Sequence, residues 1–135
     1  MHRTIQTITI AFILSLPMDS NAIVSSQCNE NLPITKQALY GSWKYSLGQD
    51  VGYSTFNPDM TFTGHLENNG INTRQYNGTW SFKNNAIDYL YTFSSSDHIK
   101  AGTKDHDEVL EIGCDQIKIK SMMGQTGVFQ RNDGI

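Results

Sequence analysis

The chain has 135 residues and a formal net charge of −3, with 10 lysines and arginines against 13 aspartates and glutamates. That length suits one domain around one core. A weakly acidic chain without a basic stripe argues against nucleic acid and anionic membranes as partners.

Residues 1–22 have the layout of a secretory signal peptide: His2 and Arg3, an apolar run over 5–16, and the small-x-small pattern Ser20-Asn21-Ala22. The run is interrupted by Gln6, Thr7 and Thr9 and is shorter than the roughly 20 residues of a spanning helix. Residues 23–135 are therefore expected to form the exported domain, periplasmic or secreted. Cleavage removes Arg3 and Asp19 and leaves the charge balance unchanged. Two cysteines remain, Cys28 and Cys114, and in an oxidising compartment an even count favours a disulfide. The competing reading is a buried thiol at Cys114, on the face of Leu110 and Ile112.

Segment 29–38 contains Pro33 and reads as coil or a single helical turn. From Tyr40 onward, short alternating segments are separated by turn chemistry such as Asn57-Pro58-Asp59, Asn68-Asn69-Gly70 and Asn84-Asn85. This pattern predicts an all-β domain of eight strands over 40–46, 51–56, 60–66, 74–83, 86–93, 107–114, 116–122 and 126–131. Met60, Phe62, Gly64 and Leu66 share one face, as do Tyr76, Gly78, Trp80 and Phe82, and Ile117 with Ile119. One face is packed and the other wet. Hairpin-only connectivity favours closure into an eight-stranded antiparallel up-and-down barrel over a sandwich. The single long connection, 94–106, is polar and contains Gly102, as a mobile surface loop would.

Part of the chain is written twice. Gly41, Trp43, Thr55 and Phe56 recur as Gly78, Trp80, Thr92 and Phe93, at an offset of 37 residues. Each copy reads as strand, turn, strand, so the repeat predicts two matching hairpins.

The residues Leu39-Tyr40-Gly41-Ser42-Trp43-Lys44, the run from Phe56-Asn57-Pro58-Asp59 to Gly64, Gly78-Thr79-Trp80-Ser81, Glu108-Val109-Leu110-Glu111-Ile112 and Phe129-Gln130-Arg131 resemble the bacterial lipocalin-like domains. The resemblance covers nearly all of 23–135. It implies that Trp43 closes the base of the barrel and that Arg131 lies across its indole, with Gly41, Gly78 and Trp80 also structural. A weaker resemblance, carried by Leu39-Tyr40-Gly41-Ser42-Trp43 and Phe62-Thr63-Gly64, is to avidin-like barrels; the further tryptophans of a biotin pocket are missing.

Asp97-His98 and Asp105-His106-Asp107-Glu108 gather metal-type ligand groups, but at no recognised spacing, and the reading as a solvated connector is preferred. No nucleophile elbow is present, and Glu108 and Glu111 fall on opposite faces of a regular strand, so no catalytic residue is assigned. The aromatic set that includes Tyr53, Phe62, Phe82, Tyr89 and Tyr91 is either a filled core or the wall of an apolar pocket. The chain is thus expected to be a non-enzymatic binder of a small hydrophobic or amphipathic molecule, using those five residues and no cofactor or metal. The alternative is an inhibitor-type protein-interaction module that uses the 94–106 loop.

Overall fold

The computed structural model describes residues 31–133. Residues 1–22 and Cys28 lie outside that range. A single helical turn, α1 (Lys36–Leu39), precedes the sheet, with Thr35 as its N-cap: the threonine hydroxyl accepts from the Ala38 amide at 3.3 Å. Eight strands follow: β1 (Gly41–Leu47), β2 (Asp50–Phe56), β3 (Thr61–Asn68), β4 (Ile71–Lys83), β5 (Ala86–Ser94), β6 (Lys104–Ile112), β7 (Gln116–Ser121) and β8 (Thr126–Arg131). They form a closed antiparallel barrel in sequence order. Closure comes from pairing Trp43 with Arg131 and Lys44 with Gln130, which removes both free edges.

Turn chemistry sets the hairpins. Asn84 and Asn85 take φ of 53° and 58° between Lys83 and Ala86, and Asn69 and Gly70 take 51° and 76° between Asn68 and Ile71. Both are two-residue turns with left-handed central positions, the kind whose twist matches the flanking strands.

The barrel has two unlike ends. At one, α1 and the turns β2–β3, β4–β5 and β6–β7 close over Leu39, Trp43, Phe56, Ile87, Ile112 and Ile117, all at most 1% exposed. Leu32 pairs with Ile112 there as an isolated bridge, its amide donating to the Ile112 carbonyl at 2.6 Å. The other end carries the remaining turns and the β5–β6 connection.

Three expectations are corrected by the strands themselves. The sixth strand begins at Lys104 instead of 107, so the connection shrinks to 95–103 and Asp105, His106 and Asp107 are strand residues. A bulge between Val109 and Glu111 changes the face: Val109 and Ile112 are the buried pair, Leu110 is only half-buried, and the shared face read for Leu110, Ile112 and Cys114 is not formed. The same bulge leaves both Glu108 and Glu111 exposed, opposite Lys120 and Lys118.

The doubled stretch does form two hairpins, but their registers differ. Trp43 faces Ser54, whose counterpart in the second copy is Tyr91, yet Trp80 faces Tyr89. The turn of the second copy comes one residue earlier, and a bulge between Asn77 and Gly78 takes up part of the difference. At that bulge β4 and β5 approach so closely that a Cβ on Gly78 would lie 1.9 Å from the Leu90 carbonyl oxygen. Only glycine fits.

Candidate functional site

The closed end is tied by one side chain. The Arg131 guanidinium lies 4.1 Å from the ring centre of Trp43. Its Nε donates to the Cys114 carbonyl at 3.0 Å, and its terminal nitrogens donate to the carbonyls of Tyr40 and Ala38 at 2.9 and 3.2 Å. Asp133 completes the cluster at 2.9 Å, and its carboxyl also accepts from the Ser42 amide at 2.5 Å. The Trp43 indole donates to the Leu39 carbonyl at 2.8 Å, and the Trp80 indole to the Asn57 carbonyl at 3.2 Å. Trp43, Trp80 and Arg131 are thus spent on the base of the barrel, and Gly41 carries the left-handed φ of 111° that lets Arg131 and Asp133 close over it.

Toward the other end the interior is not filled. A cavity of about 690 Å³ opens between the turns, within the 300–1,000 Å³ typical of small-molecule sites. Phe62 forms its floor, edge-on to Tyr89 and Tyr91 with ring centres 5.4 Å apart in each case. Tyr45 stacks on Phe129 at 4.7 Å and bonds hydroxyl to hydroxyl with Tyr76 at 2.5 Å. Ile99, from the shortened β5–β6 connection, lines the mouth.

Two glycines make these tyrosines fit. A Cβ on Gly52 would sit 2.2 Å from the Tyr45 ring, and one on Gly64 would sit 2.3 Å from the Tyr76 ring. Each ring crosses from its own strand to cover the bare backbone of the neighbouring strand.

The charged lining comes from β6 and β4. Asp105 and Asp107 line the cavity from β6, and Arg74 does so from an exposed position on β4. Tyr89 Oη donates to Asp107 Oδ2 at 2.9 Å. Burial raises the Asp107 carboxyl to about 6, helped by the charge of Asp105 and opposed by the Tyr89 hydrogen bond. Burial is likewise the main reason that the phenols of Tyr45, Tyr76, Tyr89 and Tyr91 are all pushed above their ordinary value. At neutral pH they are uncharged donors.

Of the five residues expected to face the interior, Phe62, Tyr89 and Tyr91 line the cavity. Phe82 shares the face of Trp80 but packs, half-buried, against the core beyond the cavity. Tyr53 is a correction: it is on the outer face, stacked on His65 at 4.7 Å with the Lys44 ammonium 6.0 Å from its ring centre. Inward positions on β2 belong to Gly52, Ser54 and Phe56.

The run of acidic residues and histidines is split by the strand. Asp105 and Asp107 face in, whereas His106 faces out and bonds Asp88 at 2.6 Å. Among the described residues no group of three or more metal-type side chains converges. The sequence groups Asp105 and Asp107 with their neighbours as a solvated polar run, Asp105 in the connection and Asp107 at the first position of a strand, because no apolar residue before Val109 marks an inward face. The period-two spacing of the two aspartates was the available signal.

No family model matches the chain. No curated protein matches it either. A solved structure does: the NMR structure of a protein from Bacteroides uniformis is 18% identical, with a TM-score of 0.54 over 77% of this chain and 96% of that one. That likeness supports the barrel fold alone.

Proposed function

We propose that this protein is an exported, non-enzymatic barrel of the lipocalin-like kind that binds one small apolar or amphipathic molecule. The observation that carries the reading is the cavity of about 690 Å³ at the end opposite Trp43, walled by aromatic rings with a few polar groups among them. The resemblance of Gly41-Ser42-Trp43 and Phe129-Gln130-Arg131 to lipocalin-like domains supports it, and the signal-like residues 1–22 support export.

The test is titration with fluorescent naphthyl and fatty-acyl probes, alongside Ser121→Trp, which places an indole at the cavity rim. Saturable binding of one probe per chain, weakened about tenfold or more by Ser121→Trp, is expected. Absence of binding by every probe, or binding indifferent to Ser121→Trp, would overturn the reading.

The inhibitor-type alternative gains less from the structure. The connection it relied on is shorter than expected and turns Ile99 toward the cavity.

A further inference from the structure

The polar groups of the cavity are unevenly distributed, and that narrows what it can hold. Among the described residues three charged side chains line it: Asp105, Asp107 and Arg74. Both carboxylates come from one face of β6. Asp105 pairs with Tyr89, while Asp107 pairs with Ile87, which is fully buried. Asp107 therefore sits deeper. Arg74 pairs with Leu66 at the mouth end of β4, in an exposed position. The interior is thus negative at depth, and the compensating cation is at the solvated rim.

Among the described residues neither carboxylate is matched by a cation inside the barrel. Among the described residues the neutral Tyr89 hydroxyl is the hydrogen-bond donor to the Asp107 carboxyl, and Asp105 Oδ1 accepts from the backbone amide of His106 at 2.8 Å. A carboxylate taken from water without an opposite charge is costly, and the raised proton affinity of Asp107 reports that cost. Residues two apart on a strand are about 7 Å apart on the same face, so one ammonium between them reaches both by charge and one by hydrogen bond. A bare divalent ion is a poor occupant: calcium asks for 6–8 oxygens, whereas among the described residues no third metal-type side chain joins the two carboxylates, and the remaining lining is aromatic rings with a few neutral hydroxyl and amide groups such as Ser121 and Gln125. Those rings suit an organic cation, whose charge is attracted to aromatic faces and whose body they cover.

We propose that the cavity selects an amphipathic amine, with its ammonium held by Asp105 and Asp107 and its apolar body lying against Phe62, Tyr91 and Tyr45. The inference rests on the small-molecule reading of the cavity and names the chemical class of its ligand.

A matched set separates the two claims: 2-(1-naphthyl)ethylamine, 2-(1-naphthyl)ethanol and 1-naphthylacetate present one ring system as cation, neutral molecule and anion at pH 7.5. The amine is expected to bind about tenfold or more tightly than the alcohol, and the acetate weakest of the three. In Asp105→Asn/Asp107→Asn the amine should fall to the level of the alcohol, with alcohol binding retained as evidence of an intact cavity. Equal affinity for amine and alcohol, tighter binding of the acetate at Arg74, or a preference for the amine that survives the double substitution would overturn the assignment while leaving a ligand-binding barrel. Failure of all three to bind would remove the small-molecule reading itself, and this assignment with it.

Discussion

Tyr89 Oη donates a 2.9 Å hydrogen bond to Asp107 Oδ2 across the β5–β6 pair, and it is the polar contact that joins the deepest charge of the cavity to the aromatic floor. The hydrogen bond stabilises the carboxylate but does not offset its burial, because Asp107 titrates near 6, above the ordinary 3.8.

The stability consequence follows from the sign of that shift. A carboxyl whose folded pKa is raised favours the fold while protonated, and that contribution is lost as pH rises from the unfolded value through about 6. Asp107→Asn should therefore equal the wild type near pH 4 and exceed it at pH 7.5. The difference is at most about 3 kcal/mol from the size of the shift, and about 1–2 kcal/mol once solvent screening from the open cavity is allowed for. Urea midpoints across pH 4–8 measure it. A variant no more stable than the wild type at pH 7.5 would show that the carboxylate carries no such cost.

Amine binding should depend on the same proton. Among the described residues the lining groups that bear charge are Asp105, Asp107 and Arg74, with His106 acting on Asp107 from the outer face of β6, while Tyr45, Tyr76, Tyr89 and Tyr91 stay neutral across this range. Affinity for 2-(1-naphthyl)ethylamine is expected to fall several-fold from pH 7.5 to pH 5 as Asp107 takes up a proton. In Asp107→Asn that step should vanish, which isothermal titration at the two pH values would read directly.

Arg131 is expected to be among the most sensitive positions in the barrel. Arg131→Ala removes the contact with Trp43 and leaves the carbonyls of Ala38, Tyr40 and Cys114 without their donor. The cation–π term is worth about 0.5–2 kcal/mol and each charge-assisted hydrogen bond about 1.5–3 kcal/mol at most. Because these share one side chain, a total loss of about 3–4 kcal/mol is the expectation. Arg131→Lys should recover less than half, since a single ammonium cannot reproduce the planar fork. Thermal unfolding of both variants gives the comparison.

Cys28 and Cys114 are expected to be joined. The Leu32–Ile112 bridge brings the chain just after Cys28 alongside the strand that ends just before Cys114. A crosslink enclosing so long a loop contributes about 4–5 kcal/mol in the chain-entropy model. Alkylation of protein produced in an oxidising compartment should modify neither cysteine until a reductant is added, and reduction should lower the melting temperature. Ready alkylation without reduction would remove the disulfide.

The sequence by itself determined the number of strands, their order and the hairpin connectivity, because period-two alternation and turn residues such as Asn84-Asn85 act locally. It also marked which faces of β3, β4 and β7 turn inward. Tertiary structure decided what the interior contains. Bulges at Gly78 and beside Glu111 shift register without any signature in composition, and so the doubled hairpins differ and Val109, not Leu110, is buried. A polar run was recruited into β6 because barrel closure supplies β5 and β7 as partners, and pairing then points Asp105 and Asp107 inward whatever their polarity. Whether the barrel is solid or open depends on where large rings fall against bare glycines in neighbouring strands, as Tyr45 does over Gly52 and Tyr76 over Gly64. That fit is a property of side chains distant in sequence, which only the closed sheet brings together.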